Sequence, residues 1–204
     1  MIPLMLDLSA KRILIFGAGA VGVRKARHFT GCRMTVVSRS ISPDVFSLPQ
    51  TSIKQMDVAD IEDDNLRTLI EKHDIIIAAL SDTGQNERII RLAKTAEKWY
   101  NCATSDDANF LIPSTVQGKE YTIAVSTSGR APAVPRCIRE DLEERYQGLD
   151  NMILLLASLR ERLKETVPDQ EKRAEILRNI LHDETIRQRC RENKNADDLV
   201  AGYL

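Results

Sequence analysis

Aromatic residues are scarce in this chain, making up 4% of its 204 residues with a single tryptophan. A surface that stacks successive nucleic-acid bases needs several such rings, so that class of binding is not expected. Neither sign of charge dominates: 29 basic and 30 acidic residues leave a formal net charge of −1. A general polyanion binder needs a basic balance, so only a local basic patch is left open. Cysteine is sparse too. Cys32, Cys102, Cys137 and Cys190 lie far apart, without the paired spacing of structural zinc or redox sites, and read as reduced thiols. His28, His73 and His182 are equally isolated, so no resident metal site is expected. No run approaches the roughly 20 apolar residues of a membrane span. The opening Met1-Ile-Pro-Leu-Met-Leu-Asp-Leu8 lacks the basic start and long apolar stretch of a signal peptide. These absences predict a cytoplasmic protein that binds neither nucleic acid nor membrane.

What is present is concentrated near the start. Arg12-Ile-Leu-Ile-Phe16 is an apolar strand that runs into Gly17-Ala-Gly-Ala-Val-Gly22 and then Val23-Arg-Lys-Ala26. Strand, Gly-x-Gly-x-x-Gly turn and helix in that order form the dinucleotide-binding fingerprint. Gly17 permits the tight turn and Gly19 leaves room for a pyrophosphate. Gly22 lets the helix pack on its strand, and the helix start at Ala20 and Val21 offers free N–H groups to the phosphates. A tight turn without a ligand is the plainer alternative.

The rest of the first half alternates strand and helix signals. Helices are predicted over 20–30, 61–71 and 85–98. Strands are predicted at Met34–Val37, Ser52–Met56, Asp74–Leu80 and Tyr100–Ala103, the third apolar on both faces as in a parallel sheet. This rhythm predicts an α/β fold: a Rossmann-type doubly wound parallel sheet covered by helices on both faces. Another strand is expected over 120–126, then a turn-rich loop, then a helix opening at Pro132 and running towards Arg145. From Asp150 onward the chain is charged and helical, with apolar stripes over 152–164 and, more weakly, 171–181.

Four segments in order resemble one family. They are Pro3–Leu8, Gly17–Ala26, Asn101-Cys-Ala-Thr-Ser-Asp-Asp107 with Phe110-Leu-Ile-Pro-Ser114, and Tyr121–Pro132 with Arg136 and Ile138–Leu142. The resemblance is to the precorrin-2 dehydrogenase and sirohydrochlorin ferrochelatase enzymes, which also form the front of bifunctional sirohaem synthases. It covers residues 1–146 well and the tail only in type. It implies NAD-dependent dehydrogenation of the tetrapyrrole precorrin-2 to sirohydrochlorin, and in some members insertion of ferrous iron as a second substrate. It also implies a homodimer, and hence a Rossmann domain over 1–113, a dimerisation segment over 114–148 and a small helical domain over 149–204.

The resemblance places the catalytic carboxylate at Asp106, at the carboxyl end of a strand, where it could take the departing proton. Asp106 as a turn cap is the structural alternative. The segment from Asp106 to Phe110 is shorter here than in the family, so Asp107 could share that role or contact substrate. The family's pattern after the fourth strand becomes Ala79-Leu-Ser-Asp82, with Asn86 following. Ser81, Asp82 and Asn86 are therefore cofactor candidates. Ser126, Thr127, Ser128, Gly129, Arg130 and Arg136 are substrate candidates, Ser128 standing where the family has a glycine. Guanidinium groups suit the eight carboxylates of precorrin-2, and Arg139 and Lys119 lie nearby in sequence.

Cofactor choice is open between NAD and NADP. NAD-binding folds usually place an acid at the end of the second strand, and this chain has Ser38-Arg39-Ser40 there. Residue chemistry favours a 2′-phosphate, or makes Arg39 a solvated loop charge. The resemblance implies NAD, which is the expectation with NADP as the alternative. Two other functions share the front half: a nucleotide-sensing module of the kind attached to potassium transport systems, and a small NAD(P)-dependent oxidoreductase of other substrate. Neither accounts for residues 101–139.

Overall fold

The structure is a computed structural model that describes residues 2–131 and 133–203. Pro132, the expected start of the helix before Arg145, lies outside the described residues. The chain divides into two compact units, Met1–Ile112 and Pro113–Leu204. The expected segments 114–148 and 149–204 both fall in the second.

The first unit is a five-stranded parallel sheet in the order β3-β2-β1-β4-β5. Its strands are β1 (Arg12–Ala18), β2 (Arg33–Ile41), β3 (Thr51–Gln55), β4 (Ile75–Ala78) and β5 (Trp99–Cys102). Helices α1 (Ala20–Ala26), α2 (Asp63–Glu71) and α3 (Thr83–Thr95) cover it. Side chains alternate between faces. Ile13 and Ile15 of β1 join Ile75 and Ile77 of β4 in one core with Val23 and Ala26 of α1. Leu14, Phe16 and Ile76 point the other way, onto Leu66 and Ile70 of α2 and Ile89 and Ile90 of α3. Each fully buried Ile, Leu or Phe contributes about 1.5–3 kcal/mol. Such a double core is why β1 and β4 read as unbroken apolar runs.

Several boundaries differ from expectation for local reasons. Strand β2 continues through Ser38, Arg39 and Ser40 to Ile41, because Ser38 still pairs with Gln55 of β3. Helix α1 tightens into a 3-10 turn over Arg27–Phe29 and does not reach Thr30. Helix α3 starts at Thr83, since the Asp82 carboxylate caps it by accepting the Gln85 N–H at 3.0 Å. It stops three residues early. Glu97 turns left-handed at φ 51°, and the Lys98 N–H returns to the Ala93 carbonyl at 3.0 Å, closing a Schellman motif.

In the second unit the strand β7 (Thr122–Val125) pairs antiparallel with β6 (Ser114–Gln117), which the sequence pattern did not predict. Among the described residues α-helices follow: α4 (Ala133–Arg145), α5 (Leu149–Thr166), α6 (Gln170–His182), α7 (Glu184–Arg191) and α8 (Asp197–Val200). Asp183 separates α6 from α7. Its Oδ1 accepts the Thr185 and Ile186 N–H groups at 2.8 and 3.1 Å, and its Oδ2 accepts the Tyr203 hydroxyl at 2.7 Å. Met152, Leu159, Ile180, Ile186 and Val200 form the core of this unit. Among the described residues no helix is long and apolar enough to cross a membrane.

Glu97 occupies a backbone region that glycine adopts without strain. Glu97→Gly, at an exposed position, is expected to stabilise the chain by up to about 1 kcal/mol, raising the melting temperature by about 2–4 °C. Differential scanning calorimetry of the two proteins measures it.

Candidate cofactor and catalytic site

The parallel register brings the carboxyl ends of the strands to one edge. Phe16 of β1 lies beside Val37 of β2 and Ala78 of β4, and Ala78 lies beside Cys102 of β5. The loops after these strands, which carry Gly17–Gly22, Ser81–Asp82 and Asp106–Asp107, therefore gather where open α/β sheets bind ligands.

The three glycines of the turn are small for three different reasons. Gly17 is left-handed at φ 107°, and a Cβ there would sit 2.3 Å from the Ala79 carbonyl oxygen. A Cβ on Gly22 would lie 1.9 Å from the Gly17 carbonyl oxygen. Gly19 differs: a Cβ there would meet nothing within 4 Å. Nothing among the described residues requires residue 19 to be small, and the space in front of it suits an approaching phosphate. The first intrahelical bond of α1 runs from the Val23 N–H to the Gly19 carbonyl at 3.0 Å. The N–H groups of Ala20 and Val21 precede that bond and are available to an anion. The turn fits a dinucleotide.

The end of β2 is more engaged than its sequence indicates. Ser38 is buried, and its hydroxyl donates to the Ser40 carbonyl at 2.8 Å, so this side chain braces the strand end. The Arg39 side chain is 82% exposed, and its guanidinium meets Asp57 at 3.3 Å. Asp57 is an acid that sequence reasoning missed. The signal was the pairing of β2 with β3: Ser38 opposite Gln55 brings the residues just beyond β3 beside Arg39. The other Asp57 oxygen accepts the Ala59 N–H at 3.1 Å, which fixes the carboxylate.

After β4, Ser81 and Asp82 are exposed. Asn86 is fully buried and reaches no solvent. Its Oδ1 accepts the Leu80 N–H at 3.0 Å, and its Nδ2 donates to the Leu80 carbonyl at 2.9 Å and to Thr104 Oγ1 at 3.1 Å. This side chain fastens the β4 loop to the β5 loop.

Asp106 and Asp107 sit side by side in different circumstances. Asp107 is paired with Lys94 of α3 at 2.7 Å, and this hydrogen bond raises the Lys94 pKa. Asp106 is exposed and, among the described residues, makes no ion pair or side-chain hydrogen bond. Its loop is held on both sides, at Thr104 by Asn86 and at Asp107 by Lys94. Beyond it, Asn109 Oδ1 accepts the Tyr100 N–H at 2.7 Å, and Asn101 Nδ2 donates to the Phe110 carbonyl at 3.0 Å. Asn101 Oδ1 also accepts from Lys25 of α1 at 2.5 Å. Burial, aided by Arg24, lowers the Lys25 pKa.

Apart from Asp107, the substrate candidates lie in the second unit. Ser128 and Gly129 are both left-handed, at φ 54° and 83°, so Ser128 adopts the backbone that a glycine would take without strain. Ser126 Oγ accepts the Ser128 N–H at 3.1 Å, and Thr127 Oγ1 accepts the Ala131 N–H at 3.4 Å. Arg136 is paired with Glu140 at 3.0 Å, and Arg139 with Glu140 and Glu143. Arg130 is exposed and, among the described residues, has no acidic partner. Among the described residues no three His, Cys, Asp or Glu side chains converge as metal ligands would.

Residues 4–114 match the family model described as "Putative NAD(P)-binding". The chain is 34% identical over 190 residues to the precorrin-2 dehydrogenase of Methanosarcina barkeri, covering 91% of this chain and 84% of that protein. It is 30% identical over 199 residues to a Methanocaldococcus jannaschii protein named "Putative precorrin-2 dehydrogenase", covering 94% and 95% respectively. Among solved structures, the precorrin-2 dehydrogenase SirC superposes with a TM-score of 0.71 at 21% identity, over 95% of this chain and 98% of that one.

Replacing Asn86 by Ala removes three hydrogen bonds and leaves the Leu80 backbone groups without partners. An expected loss of about 2–3 kcal/mol in stability is measurable by urea denaturation, together with faster amide exchange in the loop around Asp106.

Proposed function

Since the chain belongs to the precorrin-2 dehydrogenase family, we propose that it oxidises precorrin-2 to sirohydrochlorin in sirohaem biosynthesis, with NAD as electron acceptor. The observation that carries the reading is the open space before Gly19, in a turn where Gly17 and Gly22 are each closed in by backbone. Gly17, Gly19 and Gly22, with the N–H groups of Ala20 and Val21, would hold the pyrophosphate, and exposed Ser81 and Asp82 border the same edge. When bound, the nicotinamide supplies the hydride acceptor.

Loss of two hydrogens from the substrate as hydride and proton leaves the proton to a base. Asp106 suits that role because its carboxylate is exposed and bound to no cation among the described residues. Asp107 is already neutralised by Lys94 and serves to hold the loop. Arg130, with no acidic partner among the described residues, suits a substrate carboxylate. Insertion of ferrous iron into sirohydrochlorin needs a base for pyrrole protons, and the same Asp106 supports that second activity.

The preference for NAD rests on Asp57. A 2′-phosphate arriving at Arg39 would meet the Asp57 carboxylate beside it, and like charges oppose binding. Free Cys32, Cys102, Cys137 and Cys190 fit a reducing cytoplasm. A homodimer is supported by Ile2, Leu4, Met5 and Leu6, whose side chains are 52–82% exposed and would be covered by a second copy.

With precorrin-2 and NAD, and NADH absorbance as the readout, Asp106→Asn is expected to lower kcat by about 10²–10⁴-fold. Asp107→Asn should stay within about threefold of the unaltered protein, because an exposed pair contributes little. Full activity in Asp106→Asn overturns the assignment. Asp57→Asn preserves an oxygen for the Ala59 N–H while removing the charge. It is expected to shift the ratio of kcat/KM for NADP over NAD upward by about tenfold, measured with both cofactors on the same preparation.

A further inference from the structure

The second unit holds a cavity of about 260 Å³ that none of the roles above uses. It lies where the end of α4, the start of α5, the end of α6 and the last turns of α7 meet. Leu149, Met152 and Leu181 supply its apolar lining. Leu181 is still 39% exposed, an apolar side chain left at the rim.

The walls are strongly cationic. Arg145, Arg187 and Arg191 line the cavity along with His182, and no acidic side chain does. Arg187 and Arg191 share one carboxylate, Glu184, at 3.7 and 3.1 Å. The Arg145 guanidinium lies 6.0 Å from the Tyr146 ring centre, and Arg145 has no acidic partner among the described residues. Three permanent positive charges thus face a single shared negative one.

The cavity is also preformed. Gly148 is left-handed at φ 74°, and a Cβ there would sit 2.5 Å from the Cys190 carbonyl oxygen, so the start of α5 is pressed against the end of α7. Asn151 Nδ2 reinforces the junction by donating to the Cys190 carbonyl at 2.9 Å and to Asn193 Oδ1 at 2.8 Å. A lining that combines guanidinium groups with apolar side chains suits carboxylates carried on an apolar ring. The volume lies just below the range of about 300–1,000 Å³ that encloses a whole drug-sized ligand, so it takes one ring with its acid arms.

We propose that this cavity binds a carboxylate-bearing ring, as the edge of a polycarboxylate macrocycle, and so forms a second holding point for the tetrapyrrole within the helical unit. The identification of the macrocycle rests on the function proposed above; the ligand chemistry does not.

Uroporphyrin III, a stable octacarboxylate porphyrin, and 3-phenylpropionate, a single ring with one acid arm, serve as probes on the full chain. Porphyrin fluorescence reports the first and calorimetry the second. Arg145→Glu and Leu181→Glu alter exposed rim positions, and unchanged melting temperatures would show that both variants fold. The expected result is that each variant weakens uroporphyrin binding by about tenfold or more. Weakened binding of phenylpropionate alone would assign the cavity to a free small acid of the same chemistry. Equal affinity of the unaltered protein and both variants for both probes, or no binding of either probe, overturns the proposal. A failure of the dehydrogenase reading appears separately, as absent NADH formation with intact porphyrin binding.

Discussion

The approach of Gly22 to the Gly17 carbonyl leaves no room for a side chain, and the architecture of the first unit follows from that contact. It fixes α1 against β1 at its first turn, so Val23 and Ala26 reach the core that Ile13 and Ile15 share with β4. With the helix so placed, its N-terminal N–H groups face the carboxyl edge of the sheet. Gly17 makes a second contact of this kind with the Ala79 carbonyl, which sets the β4 loop beside the turn. Two steric constraints therefore position the elements that shape the cofactor edge, and of the turn's three glycines Gly19 is the one facing open space among the described residues.

The same edge illustrates how tertiary contacts give neighbouring residues different chemistry. Asp106 and Asp107 are adjacent and identical in kind. Lys94, on a helix that ends a few residues before β5, neutralises one and leaves the other exposed. The pair itself contributes little energy at a surface where both partners are about half exposed. Its effect is geometric, since with the Asn86 carboxamide it spans the loop on either side of Asp106. Arg39 and Asp57 behave similarly. Strand pairing sets an acid beside an arginine that the linear order leaves alone.

The parallel sheet was legible because its signals are local and repeated: apolar runs of strand length, helices between them, and a glycine turn whose spacing has a steric meaning. The boundaries were less so. The early end of α3 depends on a left-handed Glu97 that no propensity favours, and its start depends on capping by Asp82. Strand β6 was missed because Ser114-Thr-Val-Gln117 carries little apolar pattern and exists through its pairing with β7. Asp183, splitting two helices by capping the second, resembles an ordinary polar helix residue when read alone.

By itself the sequence determined the strand–turn–helix at Gly17–Gly22, the alternation that makes a doubly wound sheet, and the order of motifs that marks the family. All of these are encoded within a few residues of one another, where steric limits and side-chain period act directly. Only the tertiary structure decided that Ser38 and Asn86 turn inward, that Asp57 stands beside Arg39, that Lys94 occupies Asp107, and that three arginines line one cavity. Those outcomes join residues brought together by strand pairing and helix packing. Charge and hydrogen bonding act through distance in space, which the linear chain does not specify.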